Sequence, residues 1–110
     1  MNNETIVLPK TTTTTDLELV VVSDEELARP YRVMIENDDV TPMEFVVFVL
    51  LMIFELDAER AQEIMLTAHY EGEAYVVTLP YEEAKARVYR AHTLARQNNY
   101  PLSFYLEQEA

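Results

Sequence analysis

Cysteine is absent from this chain, and glycine occurs once in 110 residues. Without thiols there is no disulfide, no thiolate nucleophile and no sulfur-ligated metal. A single glycine, Gly72, leaves no material for a phosphate-cradling loop or for the glycines of an oxyanion hole. Positive charge is scarce as well: eight Lys and Arg stand against twenty Asp and Glu, a net charge of −12. Such an acidic surface argues against nucleic acid or an anionic membrane, so partners are expected to be neutral or basic. Long apolar runs are also missing. The longest, Phe45–Phe54, has ten residues, about half of what a bilayer-spanning helix requires. The first ten residues lack the charged-then-apolar pattern of a secretory signal. The expectation is a soluble, cytoplasmic protein with one domain and a modest core.

Residues 1–30 differ from the remainder. They contain the homopolymer Thr11–Thr15, an apolar patch Leu17–Val22 and an acidic cluster Asp24, Glu25 and Glu26. A threonine tract has no helical period and little to bury, so a mobile N-terminal extension is expected, closed by Pro30, with Leu19–Val22 available as an edge strand. Residues 31–110 form the core domain. Tyr31–Ile35 suits a strand. Pro42 to about Phe54 suits a helix that is apolar nearly all round. Asp57 caps a second helix from Ala58 to about Tyr70, which Gly72 ends. Ala74–Leu79 reads as a strand, and Pro80 opens a long helix over 81–98 with Ala84, Val88, Ala91 and Ala95 as one stripe. Leu102, Phe104 and Leu106 alternate as a last strand. The order β-α-α-β-α-β predicts an α+β open-faced sandwich: a three-stranded, mostly antiparallel sheet with three helices on one side.

The most informative stretch is Asn37-Asp38-Asp39-Val40-Thr41-Pro42-Met43. Two acids after an amide make a small anionic spot. Thr41-Pro42-Met43-Glu44 reads as a capping box, in which Thr41 accepts from the backbone three residues on and Glu44 reaches back. Acids held beside a thioether on a rigid helix start suit a ligand both cationic and apolar. The same residue types also serve an ordinary strand-to-helix turn.

Other chemistry is sparse. Met65 and His69 lie four apart and share a helix face. His92, among Arg90, Thr93 and Arg96, is expected to be solvent-exposed. Serine occurs only at Ser23 and Ser103, and a Ser103–His69–Asp38 triad lacks a nucleophile elbow. A metal site from His69, Asp38 and Asp39 would have one nitrogen ligand and no recognisable spacing. A binding pocket, with no catalytic residue, metal or cofactor, is the better reading.

The string Tyr31-Arg32-Val33-Met34-Ile35-Glu36-Asn37-Asp38-Asp39-Val40-Thr41-Pro42-Met43-Glu44-Phe45-Val46 resembles the signature of the ClpS adaptor family, as do Ala61–Gly72 and Tyr100-Pro101-Leu102. The resemblance covers roughly residues 30–107. It implies the β-α-α-β-α-β core, a mobile N-terminal extension and a non-enzymatic adaptor for a Clp AAA+ protease. Such an adaptor recognises proteins beginning with Leu, Phe, Tyr or Trp and delivers them for degradation. Carried over by matching residues, Asn37, Asp38 and His69 would contact the substrate's α-amino group. Thr41, Met43, Val46, Met65 and Leu102 would line a pocket for its first side chain, with Met43 as a gate against β-branched residues. The third helix would face the unfoldase, with Glu82 and Arg87 at the positions of a family acid and base.

The chain departs from the family's pattern in several places. Phe48, Leu51 and Met52 stand where the first helix usually has a polar outer face, so at least one should be exposed, giving an apolar patch for self-association or a partner. Val77 replaces a small residue, Pro80 and Ala86 replace threonines, and Tyr100 replaces a histidine. These changes leave the pocket residues intact but fall on the unfoldase-docking face, and they do not distinguish a ClpA-like from a ClpC-like ATPase. The alternative function is a degenerate ClpS-like scaffold or inhibitor of the ATPase without substrate delivery.

Overall fold

The computed structural model describes residues 5–11, 17–23 and 28–109. In the core domain, β3 (Pro30–Glu36) is followed by α1 (Met43–Met52), α2 (Ala58–Glu71), β4 (Glu73–Pro80), α3 (Tyr81–Gln97) and β5 (Ser103–Gln108). These three strands form one sheet in the order β4-β3-β5, with both pairings antiparallel. The expected α+β order is therefore present.

Upstream lie two further strands, β1 (Thr5–Thr11) and β2 (Leu17–Ser23), paired antiparallel as a separate two-stranded sheet. Strand character was expected only for Leu19–Val22. Its partner is Thr5–Thr11, whose Thr-Ile-Val-Leu opening carries β-branched residues that favour extended backbone. Within the described residues, β2 pairs with β1 and is not an edge of the three-stranded sheet. Most of the threonine tract, 12–15, and the acidic cluster Asp24, Glu25 and Glu26 lie outside the described residues.

Alternation along the strands divides the sheet into two faces. Val33 and Ile35 on β3 and Phe104 on β5 are buried against the helices, joined by Val49, Leu50, Ile53, Phe54, Ala61, Ile64 and Leu102. In β4 the register shifts between Val33 and Met34 of its neighbour, because Val76 is an extra residue between Val77 and Tyr75. This bulge lets Val76 enter the core while Tyr75 keeps its place opposite Met34. On the other face Met34 lies between Tyr75 and Tyr105 and is 7% exposed. The Tyr105 hydroxyl donates to Glu73 (2.8 Å), and that acceptor pushes the phenol pKa up to about 12.

The helices follow the sequence closely. Ala84, Ala91 and Ala95 of α3 are fully buried, and Val88 packs beside them. Their small side chains let the helix approach the sheet. At the start of α2 the Asp57 carboxylate accepts from the Arg60 backbone N–H (2.8 Å). Gly72 ends α2 in the left-handed region (φ 94°), its N–H bonded to the Ala68 carbonyl. The Gly72 carbonyl in turn accepts from the Asn37 N–H (2.9 Å), tying the end of β3 to the end of α2. No atom lies within 4 Å of a Cβ built at Gly72, so a substitution there meets only backbone strain. Gly72→Ala is expected to lower unfolding free energy by about 1 kcal/mol, read as a lower urea midpoint at unchanged slope.

Candidate functional site

The turn between β3 and α1 is organised by one carboxylate. Asp38 Oδ1 accepts the backbone N–H groups of Val40 (2.8 Å) and Thr41 (2.6 Å), and Oδ2 accepts the Thr41 hydroxyl (2.8 Å). The expected capping box does not form. Asp38 takes the Thr41 N–H, the group Glu44 would have reached back to, and its charge-assisted bond to the Thr41 hydroxyl turns that side chain upstream, away from the helix N–H groups. The N-cap position falls to Pro42, with extended backbone and no side-chain cap, and its carbonyl receives the N–H groups of Phe45 and Val46. Shaping the turn thus belongs to Asp38. A carboxylate offers about four acceptor positions. Three are used here, so Oδ2 keeps one lone pair.

Next to this turn is a cavity of about 300 Å³, at the small end for ligand sites. Its lining includes all eight residues assigned above to amine and side-chain recognition: Asn37, Asp38, Thr41, Met43, Val46, Met65, His69 and Leu102. Ser103 is not among the lining residues. The cavity is polarised by depth. Asn37 and His69 are exposed and Asp38 is half-buried, whereas Met65 is 8% and Leu102 1% exposed. Met43, 43% exposed, stands at the rim. His69 sits in the last turn of α2, its ring edge-on to Tyr70 at 4.9 Å. The Asn37–Gly72 backbone bond brings that turn to the acidic loop. Carboxylate and amide oxygens and an imidazole thus rim an apolar hole, an arrangement that suits an ammonium carried by a large apolar group.

Two other residues sit differently from expectation. His92 is not solvent-exposed: it is half-buried on α3, and its Nε2 accepts the Phe104 N–H (2.9 Å). β5 is an edge strand, so that N–H has no strand partner on its outer side, and the imidazole supplies one. Arg87 is 18% exposed; its guanidinium donates to the Ile53 carbonyl (2.8 Å) and pairs with Glu55 (2.7 Å) and Glu83 (2.9 Å). It therefore ties α3 to the turn between α1 and α2, while Glu82 is exposed at the start of α3. On α1, Phe48 (47%) and Met52 (61%) are exposed and Leu51 is half-buried against the core.

Arg96 was overlooked in the sequence. Its Nη1 donates to the carbonyls of Tyr100 (2.8 Å) and Leu102 (2.9 Å). A base in the last turn of a helix commonly serves the carbonyls that follow, and this was the available signal.

Burial first, and the Arg96 charge second, hold the His92 pKa below the usual histidine value of 6.5. The unfolded chain therefore takes up a proton at this residue before the folded one does. Stability should be complete above about pH 6.5 and fall as pH drops toward the depressed folded value. Urea midpoints measured from pH 7.5 to 5.5 should decline, and the decline should be shallower in His92→Gln, which keeps an acceptor but does not titrate.

The family model described as "ATP-dependent Clp protease adaptor protein ClpS" matches residues 26–105. The chain is 45% identical over 86 residues to the ATP-dependent Clp protease adapter protein ClpS of Erwinia tasmaniensis, covering 76% of this chain and 81% of that one. It is 45% identical over 78 residues to the same protein of Serratia proteamaculans, covering 71% and 74%. Among solved structures, that of Agrobacterium tumefaciens ClpS2 bound to L-phenylalaninamide superposes with a TM-score of 0.71 at 36% identity, covering 74% of this chain and 99% of that one.

Proposed function

The chain belongs to the ClpS family of Clp protease adaptors, and we propose that its pocket receives the first residue of a substrate protein, Leu, Phe, Tyr or Trp. The α-ammonium would sit at the rim between Asn37, Asp38 and His69. The side chain would enter among Thr41, Met43, Val46, Met65 and Leu102. The observation that carries this reading is the polarity gradient of one small cavity, with hydrogen-bond acceptors outside and buried thioether and leucine inside. The Agrobacterium relative was solved with L-phenylalaninamide, a free amine bearing an aromatic side chain.

The energetics are of suitable size. An ammonium has three donors, and the open Asp38 lone pair, the Asn37 side-chain oxygen and a neutral imidazole nitrogen offer three acceptors. Charge-assisted bonds are worth about 1.5–3 kcal/mol each, and burying a Leu or Phe side chain a similar amount. After the entropy of docking, micromolar affinity follows. Methionine at the rim and floor adapts to both flat and branched side chains. No cofactor or catalytic step enters this function. The captured protein would pass to a Clp ATPase contacted through the start of α3, where Glu82 is exposed. Arg87 would act there by holding the helix in place.

The direct test is the affinity of peptides beginning with Phe or Leu against N-acetylated copies. Free peptides should bind at micromolar concentration and acetylated ones at least about a hundredfold more weakly, since two charge-assisted bonds are lost. Equal binding of both would refute ammonium recognition. His69 would serve as an acceptor for the ammonium, so His69→Ala should weaken binding of free peptides by about tenfold, and His69→Gln, which keeps an acceptor, should lose less. Met43→Ala should widen the entrance and raise affinity for Ile- and Val-initiated peptides relative to Leu-initiated ones.

A further inference from the structure

We propose that Arg96 and His92 are positioning residues for the pocket, acting through Leu102; the inference rests on the pocket's receiving a first side chain, as above. Leu102 belongs both to the cavity lining and to the core and is 1% exposed. Yet it lies in the short segment between α3 and β5, before the ladder with β3 begins at Ser103. No strand pairing fixes its backbone, so something else must.

The fixing groups come from one helix. Arg96 Nη1 bridges the carbonyls of Tyr100 and Leu102, two residues apart, at 2.8 and 2.9 Å. A single planar, permanently charged donor shared in this way holds the intervening chain in an arch, with Pro101 at its crown. Beyond Leu102, His92 Nε2 takes the Phe104 N–H at 2.9 Å. Before it, the Tyr100 N–H returns to the Ala95 carbonyl (2.9 Å), and the Tyr100 ring meets Phe45 of α1 edge-on at 4.8 Å. The backbone is therefore gripped on both sides of Leu102 by side chains four apart on one face of α3. Neither Arg96 nor His92 lines the cavity.

Leu102 is the wall this grip controls. Losing either anchor would leave an acceptor or donor of this segment without its partner, and the arch would relax to satisfy it elsewhere. Close-packed surroundings transmit such a shift as a misfit at the pocket wall. The amine-binding rim is built on β3, the Asp38 turn and α2, so the requirement for a free amine should survive. The side-chain contact alone should weaken.

The test is a double-mutant cycle on affinity for a Phe-initiated peptide, using the full chain at pH 7.5. Arg96→Met keeps the apolar stem and removes the donors, and His92→Leu removes the acceptor. Each should weaken binding by about tenfold while retaining the preference over the acetylated peptide. His92→Gln, which restores an acceptor, should recover most of the loss. In a Leu102→Ala background Arg96→Met should cost less than about twofold, because the wall it positions is gone. Thermal melts establish that each variant is folded. Folded Arg96→Met or His92→Leu proteins that bind like the parent would overturn the proposal, as would an undiminished loss in the Leu102→Ala background. A parent that binds neither peptide would instead overturn the function on which the proposal rests.

Discussion

The β3–α1 turn depends on the Asp38 carboxylate. By accepting two consecutive-turn N–H groups and the Thr41 hydroxyl, it folds residues 38–41 back on themselves and fixes where α1 begins. That start sets the places of Met43 and Val46 at the cavity. A backbone bond from Asn37 to Gly72 fixes the other side, bringing the last turn of α2 with His69 to the same spot. One charged group thus makes the rim and, with its remaining lone pair, contributes to it. Charge-assisted bonds are strong enough to hold a half-exposed turn in one geometry, which neutral side-chain bonds in the same position would do less firmly.

Around that constraint the cavity is assembled from four places in the chain: the end of β3, the start of α1, the inner face of α2 and the approach to β5. None is a self-contained motif. The buried alanines of α3 let that helix lie close on the sheet, and from there Arg96 and His92 reach the β5 approach while Arg87 reaches the turn after α1. α3 therefore serves as a strut holding two loops. The net charge of −12 adds a long-range field that favours cationic over anionic partners, an attraction that salt screens.

Features governed by near neighbours were legible in the sequence. The Asp57 cap, the left-handed stop at Gly72, the alanine stripe and the alternation of Leu102, Phe104 and Leu106 each depend on residues within a turn or two. So was the grouping of the eight pocket residues, because the family resemblance supplied their meeting in space. What escaped reading was competition and distance. Thr41 had two partners within reach, the N–H donors of the helix start and the Asp38 carboxylate, and only the folded turn shows that Asp38 takes both its hydroxyl and its N–H. His92 finds its partner twelve residues away and Arg87 one of its partners thirty-four away. From sequence, His92 is expected to face solvent, and Arg87 is placed on the unfoldase-facing helix only through the family resemblance. The pairing of Thr5–Thr11 with Leu17–Ser23 was hidden by the threonine tract between them, which suggests no turn chemistry of its own.

If a first side chain enters between Met43 and Met65 while its amine is held at Asp38, methyl-labelled methionine spectra recorded during titration with L-phenylalaninamide will show it most directly. Ring-current shifts should appear at Met43 and Met65, which line the cavity, and not at Met34 on the far face of the sheet or Met52 at the end of α1. The Met43 and Met65 shifts should be lost in Asp38→Ala. Shifts centred on Met52 or Met34, or unchanged Met43 and Met65 signals at saturating ligand, would contradict the account.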